Sequence, residues 1–157
     1  MRSNKLTFLF SLLVPVFILL SSCRPEELIS PQTTYSKRSI MMTGAQEVPA
    51  VPTTGFGLMN VSYSKVTKVL SYDFTWSDLT GPVTVAHVHG LAPIGYTAGF
   101  IQLFTGIAAS ATGKYSGTLL VDGVRVKEED LLNGLYYINL HTSTYPGGEI
   151  RGQIHFN

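Results

Sequence analysis

The nine residues Val69–Ser77, VLSYDFTWS, alternate without exception, with Leu70, Tyr72, Phe74 and Trp76 interleaved with Ser71, Asp73, Thr75 and Ser77. Successive side chains on a strand point to opposite faces, so this period predicts a half-buried β-strand with the four apolar residues on its core face. Further short β-rich runs lie at Ser39–Thr43, Gly57–Ser64, Val83–His89, Gly99–Phe104, Tyr115–Val121, Leu135–His141 and Glu149–Phe156, divided by turn residues. No helical period is sustained anywhere after residue 37. One helical turn is expected at Lys127–Leu132, where helix formers precede Asn133-Gly134. Its acidic run Glu128-Glu129-Asp130 suits a solvated helix start. About eight strands and one short helical turn predict an all-β fold, a Greek-key or immunoglobulin-like β-sandwich.

Composition narrows the function classes. The 157 residues make one ordinary domain, and 45% hydrophobic against 13% charged residues exclude a disordered chain or a coiled coil. A net charge of +1 gives no electrostatic footprint for nucleic acid. The single cysteine excludes an internal disulfide framework and a cysteine-rich zinc site. No Gly-x-Ser-x-Gly elbow or phosphate-binding glycine loop is present, so the chain is not expected to be an enzyme.

The N-terminus predicts an address. Arg2 and Lys5 precede the apolar run Leu6–Leu20, which Pro15 interrupts and which falls short of the ~20 residues a membrane-spanning helix needs. Leu20-Ser21-Ser22-Cys23 resembles the bacterial lipobox, in which the cysteine is acylated and becomes the new N-terminus. Residues 1–22 are thus expected to be a lipoprotein signal peptide, 23–37 a lipidated tether and 38–157 the folded domain. The membrane would be reached through acyl chains on Cys23, more than one being needed for firm anchoring. Arg24 in place of an aspartate favours the outer membrane of a bacterial envelope.

All four histidines fall in predicted strands. His87 and His89 form a His-x-His pair on one strand face. His141 shares a face with Tyr137 and Asn139, and Glu149, Arg151, Gln153 and His155 share one on the last strand. If these faces adjoin, three imidazoles converge with Glu149 or Arg151 around them. His87, His89 and His141 would suit zinc or copper with an open coordination position. The other reading makes them a hydrogen-bonded structural cluster with Asn139, Glu149 and Arg151, no cofactor being required for folding.

Four motifs occur in one order: Gly44-Ala45-Gln46-Glu47-Val48-Pro49-Ala50-Val51, Ala86-His87-Val88-His89-Gly90, Tyr137-Ile138-Asn139-Leu140-His141-Thr142 and Pro146-Gly147-Gly148-Glu149-Ile150-Arg151-Gly152-Gln153. In these the chain resembles the CHRD (chordin-type) domain family over about residues 39–156. The resemblance implies a β-sandwich in an extracytoplasmic setting and no known enzymatic activity. The His-x-His pair with a later strand histidine is also locally similar to copper–zinc superoxide dismutase, but four histidines are too few for that binuclear site. Two expectations therefore stand side by side. One is a lipid-anchored, non-enzymatic module that binds or displays an unknown protein or polymer, with Tyr96 and Tyr145 as exposed loop aromatics; the other is a copper or zinc protein.

Overall fold

The computed structural model describes residues 31–157; the expected signal peptide and the acylated Cys23 lie outside the described residues. Eight strands follow in order: β1 (Thr34–Thr43), β2 (Phe56–Ser64), β3 (Val69–Ser77), β4 (Val83–Gly90), β5 (Phe100–Leu103), β6 (Gly113–Leu120), β7 (Tyr136–Thr142) and β8 (Ile150–Ile154). A 3-10 turn, Gly44–Gln46, follows β1, and a single short helix, α1 (Glu128–Leu132), precedes β7. The protein is all-β, as the alternation of its sequence predicts.

Strand β1 begins earlier than expected. Thr34, Tyr35, Ser36 and Lys37 pair with Ser64, Tyr63, Ser62 and Val61, so residues 34–37 belong to the sheet and not to the tether. A bulge follows Lys37, with Ser39 at φ 56° and its N–H donating to Asn60 Oδ1 at 3.0 Å. The extra residue breaks the alternation and hides the strand in the sequence.

The strands form one antiparallel sheet in the order β5-β4-β7-β8-β1-β2-β3-β6. Its two halves meet at the β8–β1 join, where a single pair, Thr43 and Arg151, is in register. The halves face each other across one core, as the layers of a sandwich do. The outer strands also approach, so the sheet is nearly a barrel: Gln102 on β5 donates to the Thr118 carbonyl on β6 at 2.9 Å. Phe104 stacks on Tyr115 with ring centroids 5.0 Å apart. Bridging the open seam in this way satisfies edge groups that would otherwise invite pairing with another chain.

Leu70, Tyr72, Phe74 and Trp76 are all buried in the core, in the register the sequence predicts. Opposite them lie Ala86 and Val88 of β4, Ile138 and Leu140 of β7, and Ile150 and Ile154 of β8. Helix α1 is tied down by its first residue. Glu128 accepts from the Tyr63 hydroxyl at 2.6 Å and Lys68 at 2.7 Å, and pairs with Lys65 at 3.3 Å. Its carboxylate is thereby an anchor rather than a merely solvated one.

Strands β7 and β8 are buried on both faces. Their apolar residues meet the core, while Tyr137, Asn139, His141, Arg151 and Gln153 point the other way and are covered by loops. The segment after β4 lies over this polar face and turns its carbonyls inward. Ala92 accepts from Gln153, Pro93 and Tyr96 from Arg151, and Ala98 from His89. The β1–β2 connection adds Glu47, and the β7–β8 connection adds Pro146 and Gly148. A buried polar layer results, and buried polar groups require partners.

Candidate functional site

His87, His89 and His141 come together on the outer face of β4 and β7. Each offers a ring nitrogen, and the three nitrogens lie within 4.8 Å of one another. The strand register explains the meeting: His87 pairs with Asn139, and its neighbour Val85 with His141. Nδ1 of His87 stands 3.2 Å from Nε2 of His141. Nitrogens bound tetrahedrally to one ion at 2.0–2.1 Å lie about 3.3 Å apart, so this pair already has ligand spacing. His141 is buried, and His87 and His89 are half-buried.

Two tautomers are fixed by carbonyls. A carbonyl oxygen only accepts, so Nδ1 of His141 donates to Pro146 at 2.9 Å and Nδ1 of His89 donates to Ala98 at 2.8 Å. Nε2 of both rings is then unprotonated in the neutral state. Nε2 of His89 is buried with no hydrogen-bond partner. Nε2 of His141 faces the Nδ1 of His87, which can donate to it, and stands 3.0 Å from Oδ1 of Asn139, which as an acceptor cannot. A ligating histidine commonly donates its other ring N–H to a carbonyl, which sets both tautomer and orientation.

The rings are held neutral. Burial lowers the His87 pKa to about 4, helped by repulsion from His141 and His89. Burial likewise lowers His89 and His141, only partly opposed by their bonds to Ala98 and Pro146. Neutral imidazole is the form that binds metal. Aromatic rings flank the trio: Phe100 stacks on His87 at 4.7 Å, and Tyr137 lies parallel to His89 at 4.8 Å.

The expected surrounding groups divide. Asn139 touches His141 directly. Arg151 is fully buried and places its guanidinium 3.5 Å from the centre of the Tyr137 ring, one layer beyond His89. Glu149 stays out of the cluster, contrary to the converging carboxylate the sequence suggested. Its oxygens accept from Thr53, Thr142 and both Thr80 donors, at 2.6–2.8 Å. Burial alone would raise the Glu149 pKa, and the bonds from Thr142, Thr53 and Thr80 outweigh it and hold it low. Preceding β8, it is held by Thr142, which follows His141 on β7 and alternates to the opposite face, and by Thr53 and Thr80 of two connections. His155 bonds only to the Asn157 carbonyl and is also remote.

Glu47 was not foreseen as a neighbour of the site. It is buried, its Oε1 lacks a hydrogen-bond partner, and burial pushes its pKa up to about 7 against the pull of Arg151. The sequence signal was present in the Glu-Val-Pro and Pro-Gly-Gly motifs, which the fold packs against each other at Glu47 and Gly148. Tyr137 and Phe100 also border the site, and their stacking on a histidine has no sequence signature.

No curated protein and no solved structure matches the chain. The family model for the CHRD domain matches residues 38–154, nearly the whole described part, and includes all three histidines. A β-rich module of extracellular type is what that match and this fold have in common. The chain belongs to the CHRD domain family.

Proposed function

We propose that this protein is a lipid-anchored, metal-binding module of the bacterial envelope, holding one copper or zinc ion on His87, His89 and His141. The reading is of a binding protein and not of an enzyme. One observation carries it: Nε2 of His89 is buried and unpartnered while its Nδ1 is committed to Ala98. Leaving a buried nitrogen unpaired costs roughly 1–3 kcal/mol, and an ion would remove that cost. The lipobox-like Leu20-Ser21-Ser22-Cys23 supports the anchor, and the tether would hold the domain clear of the lipid.

The test is elemental analysis of the full-length protein purified in detergent, before and after stripping and reloading. A stoichiometric transition metal that His89→Ala loses is the expected result. A protein that arrives without metal and takes up neither zinc nor copper would overturn the reading.

A further inference from the structure

Resting on that metal-binding reading, we propose that the site prefers copper in its cuprous state over cupric copper and zinc, because its ligands are neutral and a buried guanidinium stands beside them. An imidazole binds metal in its neutral form, and no carboxylate belongs to the ligand cluster. Whatever charge the ion brings is therefore not cancelled by its ligands. A dication in a partly desolvated site is then penalised more than a monocation.

Arg151 sharpens the penalty. Its guanidinium lies flat on Tyr137, and Tyr137 lies flat on His89, the two rings only 4° from parallel. The guanidinium donates only to neutral oxygens: Tyr96 at 2.7 Å, Pro93 at 3.4 Å and Gln153 Oε1 at 2.7 Å. Among the described residues, the ion pairs are those of Lys65 and Lys68 with Glu128, so Arg151 has no carboxylate within pairing distance. A buried positive charge that is only partly compensated, by the partly ionised Glu47, repels a dication twice as strongly as a monocation. Glu47 is the acidic group whose charge acts on Arg151, and burial discourages its ionisation.

Coordination number counts further against cupric copper, while zinc is disfavoured by charge alone. Cupric copper favours tetragonal sites of nitrogen and oxygen donors. Three strand and loop-fixed imidazoles flanked by Phe100 and Tyr137 give few donors and an apolar surround, and that surround sets redox preference. A closed-shell monocation tolerates such a low-coordinate site.

The experiment uses metal-stripped full-length protein in detergent under anaerobic conditions. Cuprous ion is competed against a chromogenic cuprous chelator, and cupric ion and zinc each against a chelator of known affinity. The cuprous ion should bind more tightly than either dication by roughly tenfold or more. Arg151→Gln should narrow that gap and Glu47→Gln should widen it. Should Arg151→Gln fail to fold, Glu47→Gln, nearly isosteric, carries the charge test alone. Equal or tighter binding of cupric ion or zinc overturns the proposal, as does a gap unmoved in the folded variants. Failure to bind any of the three ions instead overturns the metal-binding reading on which it rests.

Discussion

The carbonyl of Pro146 accepts a hydrogen bond from Nδ1 of His141, five residues earlier, at 2.9 Å. The β7–β8 connection thus determines which nitrogen of His141 remains free. The same connection brings Gly148 against Glu47 and Asn139, and then delivers Glu149 to its threonines. Two motifs far apart in sequence are one unit in space.

Gly148 should not tolerate a side chain. Its φ is 126°, and a Cβ there would stand 2.7 Å from Asn139 Nδ2 and closer still to Glu47 Oε1. Gly148→Ala should destabilise the domain by about 1–3 kcal/mol through strain and overpacking. Urea denaturation measures this, and a loss within ~0.5 kcal/mol, the range of neutral surface changes, would mean the loop relaxes freely.

The core face of β3 gives a second test. Phe74 is 1% exposed and sits among Trp76, Phe104 and Tyr115 with centroids 5.7–5.9 Å apart. Phe74→Ala should cost about 3–5 kcal/mol. The same denaturation series would reveal an unimportant face as a loss below ~1 kcal/mol, the level of shallow truncations.

The strands were legible because their apolar residues alternate, as Val69–Ser77 shows most plainly. Strand β7 was legible in existence but not in environment. Period-two reasoning places Tyr137, Asn139 and His141 on one face, yet it cannot tell that loops bury that face as deeply as the core. The meeting of His87 and His89 follows from spacing alone, whereas His141 joins them through strand register, which no single strand encodes. Glu149 misled for a related reason: shared parity with Arg151 says nothing about the threonines of β7 and the preceding connections. The Thr34–Lys37 half of β1 was lost to its bulge.

The anchor is testable apart from the fold. Cys23→Ser should abolish acylation and move the protein out of the detergent-extracted membrane fraction, read by fractionation and intact mass. A variant that stays membrane-bound with residues 1–22 still attached would make the apolar run a retained anchor.

Glu47 predicts a pH dependence with a definite sign. Its folded pKa of about 7 lies above its ordinary 4.5, so folding favours the protonated form. That contribution is complete below pH 4.5 and is lost as pH rises through 7. Wild-type stability should therefore fall between about pH 5 and 8 by up to ~3 kcal/mol from this group. Glu47→Gln, which mimics the protonated acid, should flatten the fall. Parallel profiles for wild type and variant would show that Glu47 titrates normally.

Chelation separates the two meanings of the histidine cluster. If an ion occupies His87, His89 and His141, folding and binding are linked, and stripping it removes stabilisation that grows with ligand saturation, about 2.7 kcal/mol at a hundredfold excess over Kd. A strong chelator should then lower the Tm of the wild-type protein and leave that of His89→Ala unchanged. His89→Ala should itself fall below the stripped wild type by the loss of its bond to Ala98, about 1 kcal/mol, and of its stacking on Tyr137, about 0.5–1.5 kcal/mol. If the cluster serves packing alone, the chelator moves neither Tm while His89→Ala still melts early. That outcome would leave the hydrogen bonds from His89 to Ala98 and from His141 to Pro146 as the whole purpose of the rings.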